Sequence, residues 1–139
     1  MKKSNLILPI LICLFTITVL TQCGKPTPTV SKSNTIGIVI YSNDLETVWN
    51  ALRFANYSKS QGDSVSIFLL GKGVELENLV NSDSTIKEQS DKFLSNGGTI
   101  LGCGTCLQSR NNKEPQVCKF SSMKDLYEMA HRNKIVMTF

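Results

Sequence analysis

The chain has 139 residues, 15 Lys and Arg against 11 Asp and Glu, a formal charge of +4, and five Cys; at roughly 100–200 residues per domain this is one domain, with no room for a large enzyme. Without residues 1–22 the remainder carries 13 basic against 11 acidic residues, too even a balance for a nucleic-acid footprint, so no nucleic-acid partner is expected. Of those 117 remaining residues 30 are Leu, Ile, Val or Phe, about 26% against the roughly 20% below which chains stay disordered, which excludes disorder, collagen-like repeats and a multi-span membrane protein.

Lys2 and Lys3 precede Leu6–Leu20, a run that is apolar apart from Thr16, Thr18 and Pro9. Fifteen residues are too few for a membrane span of about 20 but suit the apolar stretch of an export signal. The following Leu20-Thr21-Gln22-Cys23-Gly24 resembles the lipobox of bacterial lipoproteins, with Gln22 where the pattern prefers a small residue. The resemblance implies cleavage after residue 22 and acylation of Cys23, which would hold the protein to a membrane through its lipid. A plain signal peptide and an uncleaved anchor are the alternatives, and all three place the domain outside the cytoplasm. Residues 23–34, with Pro26, Pro28 and a run of Ser and Thr, read as an extended, solvated tether. The globular domain is expected over residues 35–139.

Within it, Ile36–Tyr41 is β-branched and almost wholly apolar, as in a strand buried on both faces. Asn43 with Glu46 forms a capping-box-like start to a helix carrying Leu45, Val48, Trp49, Leu52 and Ala55, which Gly62 ends. Val65–Leu70 is a second strand. Thr85 with Glu88 opens a second helix, with Ile86, Phe93 and Leu94 on one side and Gly97-Gly98 at its end. Thr99–Cys103 is a third strand, and Leu107–Arg110 begins a helical turn after it. Ser122 with Asp125 opens a last helix whose inner face is expected to hold Met123, Leu126, Tyr127 and Ala130, and Ile135–Thr138 is a fourth strand. Strands alternating with helices predict an α/β fold: a small three-layer, flavodoxin- or Rossmann-like domain with a mostly parallel sheet.

Ligands of open α/β sheets sit beyond the carboxyl ends of the strands. Three loops qualify: Ser42-Asn43-Asp44, Gly71-Lys72-Gly73 and Gly102-Cys103-Gly104-Thr105-Cys106. The last carries the chemistry. A C-x-x-C arrangement near backbone N–H groups can lower a thiol pKa from about 8.5 to roughly 3.5–7.5, and the thiolate is the nucleophile. Cys103 and Cys106 are therefore the candidate catalytic residues. Two structural alternatives stand beside them: a disulfide that merely stiffens the loop, and a zinc site of Cys103, Cys106, Cys118 and His131 with acceptable ligand types. A thioredoxin reading competes, but the motif follows the third strand, and the domain's only proline, Pro115, lies in a polar loop. Gly71-Lys72-Gly73 lacks the spacing of a phosphate cradle and reads as a tight turn. Cys118 is either a further exchanging thiol or a small buried hydrophobe.

Three stretches, IGIVIYSNDLETVWNALRFA, FLLGKGVEL and GGTILGCGTCLQSR, make the domain similar to the DsrE/DsrF-like (TusD-like) family of small sulfur-relay proteins, here in an exported lipoprotein form. The resemblance implies a flavodoxin-like fold, a homo-trimer or hexamer, and a persulfide passed between protein cysteines with no bound cofactor. It places the sulfur-carrying cysteine at Cys103, fed and emptied by donor and acceptor proteins; Cys106, three residues on, is then read as a resolving or tuning thiol. Cytoplasmic relay partners of the family would not reach an exported protein.

Overall fold

The structure, a computed structural model, describes residues 33–139. The signal-like run, Cys23 and most of the tether lie outside the described residues. The chain runs β1 (Thr35–Ile40), α1 (Leu45–Ser60), β2 (Ser64–Leu69), a 3₁₀ turn (Gly71–Glu75), α2 (Leu76–Ser82), α3 (Ser84–Ser95), β3 (Thr99–Cys103), α4 (Gly104–Gln108), β4 (Lys119–Ser121), α5 (Met123–Arg132) and β5 (Ile135–Thr138).

Five strands form one sheet in the order β4-β3-β2-β1-β5, and every pair is parallel. The α/β class expected from alternating patterns is the class observed. Burial on both faces explains the near-continuous apolar run of the central strand β1, while the edge strands β4 and β5 are largely exposed. Ile36, Ile38 and Ile40 alternate with Gly37 and Val39 along β1, and Val39, Ile38 and Ile40 are all buried. Gly37 faces Met129 of α5 and Asn133 just beyond its end, which puts α5 on one side of the sheet. The opposite side takes α1 and α3, packed on each other. Phe68, Phe93, Leu52 and Ile67 are inaccessible, each contributing roughly 1.5–3 kcal/mol by its burial.

Several boundaries differ from expectation for local reasons. β4 is a fifth strand the sequence pattern does not reveal, because three half-polar edge residues are too few to show a period. Asp44, not Asn43, caps α1 by accepting from the Thr47 N–H at 2.9 Å, while the Asn43 amide turns outward to Glu75. Asp83, not Thr85, caps α3, accepting from the N–H groups of Thr85 and Ile86. The Ser122–Asp125 capping box of α5 forms as its spacing predicts. On α5 itself Met129 is the one buried residue. Met123, Tyr127 and Ala130, expected inside, are exposed, because the helix rests on the sheet along Leu126 and Met129 instead. Likewise Leu45 is exposed and Leu94 borders on exposure, although Val48, Leu52 and Ala55 are buried as expected.

Candidate functional site

Parallel strands bring the ends of β1, β2 and β3 to one edge, so the three candidate loops meet there. The turn after β2 lies directly on the end of β1: a Cβ on Gly73 would collide with the Ile40 carbonyl. Gly71 has φ +56°, a left-handed conformation that disfavours a side chain. Gly71-Lys72-Gly73 is therefore a tight 3₁₀ turn, as its lack of cradle spacing predicts. Its position has a consequence: the Gly71 N–H donates to Cys106 Sγ at 3.3 Å.

Cys103 ends β3 and Cys106 lies in α4, which begins at Gly104, three residues before the helical turn expected from the sequence. Both thiols are free. Cys103 is 3% exposed, whereas Cys106 is half-buried. The lowered thiol pKa expected for this loop is not what Cys103 shows. Burial pushes it up, and the neighbouring Cys106 side chain adds to the rise; the Cys106 and Thr105 N–H groups pull more weakly the other way. They do so without forming a side-chain cap on α4, so removal from water wins.

The loops are clamped by residues that sequence reasoning missed. Glu75 accepts from Asn43 Nδ2 at 2.9 Å and from Arg110 Nε at 2.8 Å. Arg110 also donates through Nη1 to the Cys106 carbonyl at 3.2 Å. One carboxylate thus ties the β1 loop, the 3₁₀ turn and the end of α4 together. Hydrogen bonds from Arg110 and Asn43 hold the Glu75 carboxyl below the usual carboxylate range. Glu77 pins the following loop, accepting from Asn112 Nδ2 and the Gln116 N–H. Between these anchors lies a polar cleft of about 300 Å³ lined by Glu75, Glu77, Asn81, Arg110 and Asn112. A larger groove of about 530 Å³ runs between α1 and α3 past Arg53 and Lys92 and holds no thiol. Glu75 and Arg110 fall within FLLGKGVEL and GGTILGCGTCLQSR, but no spacing in the sequence announces that they meet.

Cys118 is buried against the other face of β3, its Sγ filling the space a Gly102 side chain would take. Burial and the Glu77 charge raise its pKa to about 11. The structure thus places it as packing beneath the strand. The zinc alternative does not assemble: among the described residues no three His, Cys, Asp or Glu side chains are grouped to hold a metal. His131 is turned to the Tyr127 carbonyl at 2.8 Å and stacks on the Tyr127 ring.

No functionally curated protein matches the chain. Among solved structures it is similar to the ychN protein from E. coli, at 15% identity and TM-score 0.66 over 77% of this chain and 99% of that one. It is also similar to a conserved protein of unknown function, BT1422, from Bacteroides thetaiotaomicron, at 21% identity and TM-score 0.64 over 76% and 95%. Likeness at these identities establishes the fold. The family model of the DsrE/DsrF-like family matches residues 35–139, every described element from β1 onward, and the chain belongs to that family.

Proposed function

We propose that the protein is a sulfur-relay or thiol-redox protein of the bacterial cell envelope, with Cys103 of the CGTC loop carrying a persulfide and Cys106 as its partner thiol. The observation that carries this reading is the pair of free, neighbouring thiols at the carboxyl edge of a parallel sheet, in a family suggestive of sulfur or redox work. The step needs no cofactor and no outside oxidant. A protein thiol attacks the outer sulfur of a donor persulfide, the donor S–S bond breaks, and the donor leaves as a thiol after taking a proton. Mass spectrometry after incubation with a sulfane-sulfur donor is expected to find one added sulfur on the CGTC peptide. Replacing both Cys103 and Cys106 by Ser should remove it, and Cys118→Ser should leave it. The rival is a binding or assembly module whose C-x-x-C is a structural disulfide; thiols that resist alkylation until a reductant is added would establish the rival.

Sulfur donor and acceptor proteins, a membrane reached through acylated Cys23 and a homo-oligomeric state complete the proposal. The Cys23 part is supported by the lipobox-like run and the tether behind it. The intact mass of the membrane fraction should show a mature chain that begins at Cys23 and carries acyl mass. A soluble mature form with Cys23 unmodified would remove the anchor from the proposal.

A further inference from the structure

We propose that Cys106 is the thiol that meets the sulfur donor, and that Cys103 draws the sulfur from Cys106 rather than from solution. This rests on the sulfur-carrier reading and reorders its steps. The two thiols differ in access: Cys103 is 3% exposed, while Cys106 is half-buried. Exchange requires the attacking sulfur to approach the donor's S–S bond along its axis, so access ranks the two before reactivity does.

The surroundings of Cys106 match the role. Gly71 presents its N–H to Cys106 Sγ at 3.3 Å, from a left-handed conformation stabilised by the turn that follows. A fixed donor aimed at a sulfur favours negative charge there when that sulfur attacks or departs. On the other side the Arg110 guanidinium holds the Cys106 carbonyl at 3.2 Å and is itself held by Glu75 at 2.8 Å. Cys106 is thus fixed from two loops. Cys103 has the opposite setting. It sits at the end of a buried strand, where burial disfavours its thiolate, so it is a poor first nucleophile for a molecule in solution. It stands three residues from Cys106 at the β3–α4 junction, however, and a neighbouring group needs no encounter from solution.

The steps balance. The Cys106 thiol gives its proton to solvent and attacks the outer sulfur of a low-molecular-weight persulfide, R–S–SH. The donor S–S bond breaks, R–S⁻ departs and takes a proton, and Cys106 holds S–SH. The Cys103 sulfur then attacks that outer sulfur, giving up its proton. The Cys106 S–S bond breaks, the Gly71 N–H meets the charge on the departing Cys106 sulfur, and Cys106 recovers a proton. The sulfane sulfur ends on the buried cysteine, away from stray thiols, and nothing has been oxidised or reduced overall.

The test uses the full chain with glutathione persulfide as the probe, with sulfur loading followed by mass spectrometry. Cys103→Ser should load one sulfur on Cys106 within about threefold of the wild-type rate, while Cys106→Ser should load Cys103 at least about tenfold more slowly. Should serine disturb the buried Cys103 position, Cys103→Ala repeats that arm. An independent readout is alkylation of the reduced wild-type protein near neutral pH, where iodoacetamide should label Cys106 before Cys103. Loading that is lost in the Cys103 variants but kept in Cys106→Ser, or Cys103 labelling first, overturns the inference and leaves the carrier reading intact. Absence of loading in the wild type overturns the carrier reading, and this inference with it.

Discussion

Gly102 shows how one residue can be dictated by another sixteen positions away. A Cβ there would come within 2.6 Å of Cys118 Sγ and 3.0 Å of Leu107 Cδ1. Both neighbours are buried, so neither can swing into water. Gly102→Ala is expected to lower stability by about 1–3 kcal/mol, the range for overpacking a filled core, read from the urea midpoint. Adding Cys118→Ala should recover a large part of that loss, because the clashing sulfur is gone; strict additivity of the two changes would show that they do not share a space. The same cysteine governs behaviour in alkali. Its unfolded thiol loses its proton near the ordinary 9.0, whereas the folded one keeps it to about 11. The folded state thus binds the extra proton between those values. This contribution is fully present below about pH 9 and is lost as pH rises toward 11. Cys118→Ala should flatten that limb of the stability profile, and an unchanged alkaline slope would contradict the placement of Cys118 in the core.

At the scale of elements, helix starts carry much of the polar organisation. Asp44, Asp83 and Asp125 each accept backbone N–H groups at the head of a helix; the Thr85 hydroxyl foremost at Asp83, and the backbone N–H groups foremost at Asp44 and Asp125, hold each carboxyl below its usual range. Asp83 serves two donors of α3, the helix that presents Ile86 and Phe93 to the core. Asp83→Ala is expected to lower the thermal midpoint by a few degrees at neutral pH, with Asp83→Asn close to wild type, since both Asp and Asn cap well. Because the folded pKa is depressed, the charge-dependent share of the cap is present above the ordinary carboxylate value and lost as pH falls below it. The gap between wild type and the Ala variant should therefore narrow in acid by that share alone. A gap of unchanged size at low pH would show that the charge of Asp83 adds nothing to its cap.

For the molecule as a whole, the two faces of the sheet are covered unequally. Helices α1 and α3 cover one face, while α5 covers the other with a single buried side chain. Met123, Tyr127, Ile135 and Val136 on or beside α5 are all more than 40% exposed. Apolar side chains left this open favour burial against another surface, in keeping with the proposed homo-oligomer. Sedimentation of the Thr35–Phe139 fragment at micromolar concentration should report a species heavier than a monomer. Met123→Lys with Tyr127→Glu should return it to a monomer while leaving its far-ultraviolet circular dichroism unchanged. A wild-type fragment that sediments as a monomer would remove association through this face.

Local pattern in the chain is enough to specify several features. Ile36–Tyr41 reads as a strand buried on both faces because its run is almost wholly apolar. The Ser122–Asp125 box marked the head of α5 because a capping box is a four-residue interaction. Cys103 and Cys106 stood out because a C-x-x-C after a strand lands at the ligand-binding edge of any such sheet. Other features depend on partners distant in the chain and exist only once it is folded. The Glu75–Arg110 ion pair and the Gly71–Cys106 hydrogen bond each join residues 35 positions apart. No spacing rule reaches that far. β4 exists because β3 offers it an edge to pair with, not because its three residues favour a strand. Met129, not Tyr127, became the buried residue of α5 because Gly37 on the facing strand leaves room for its side chain. The ranking of the two thiols has the same origin. Residue type and spacing treat Cys103 and Cys106 alike, and it is packing around the end of β3 that removes one from water and leaves the other within reach.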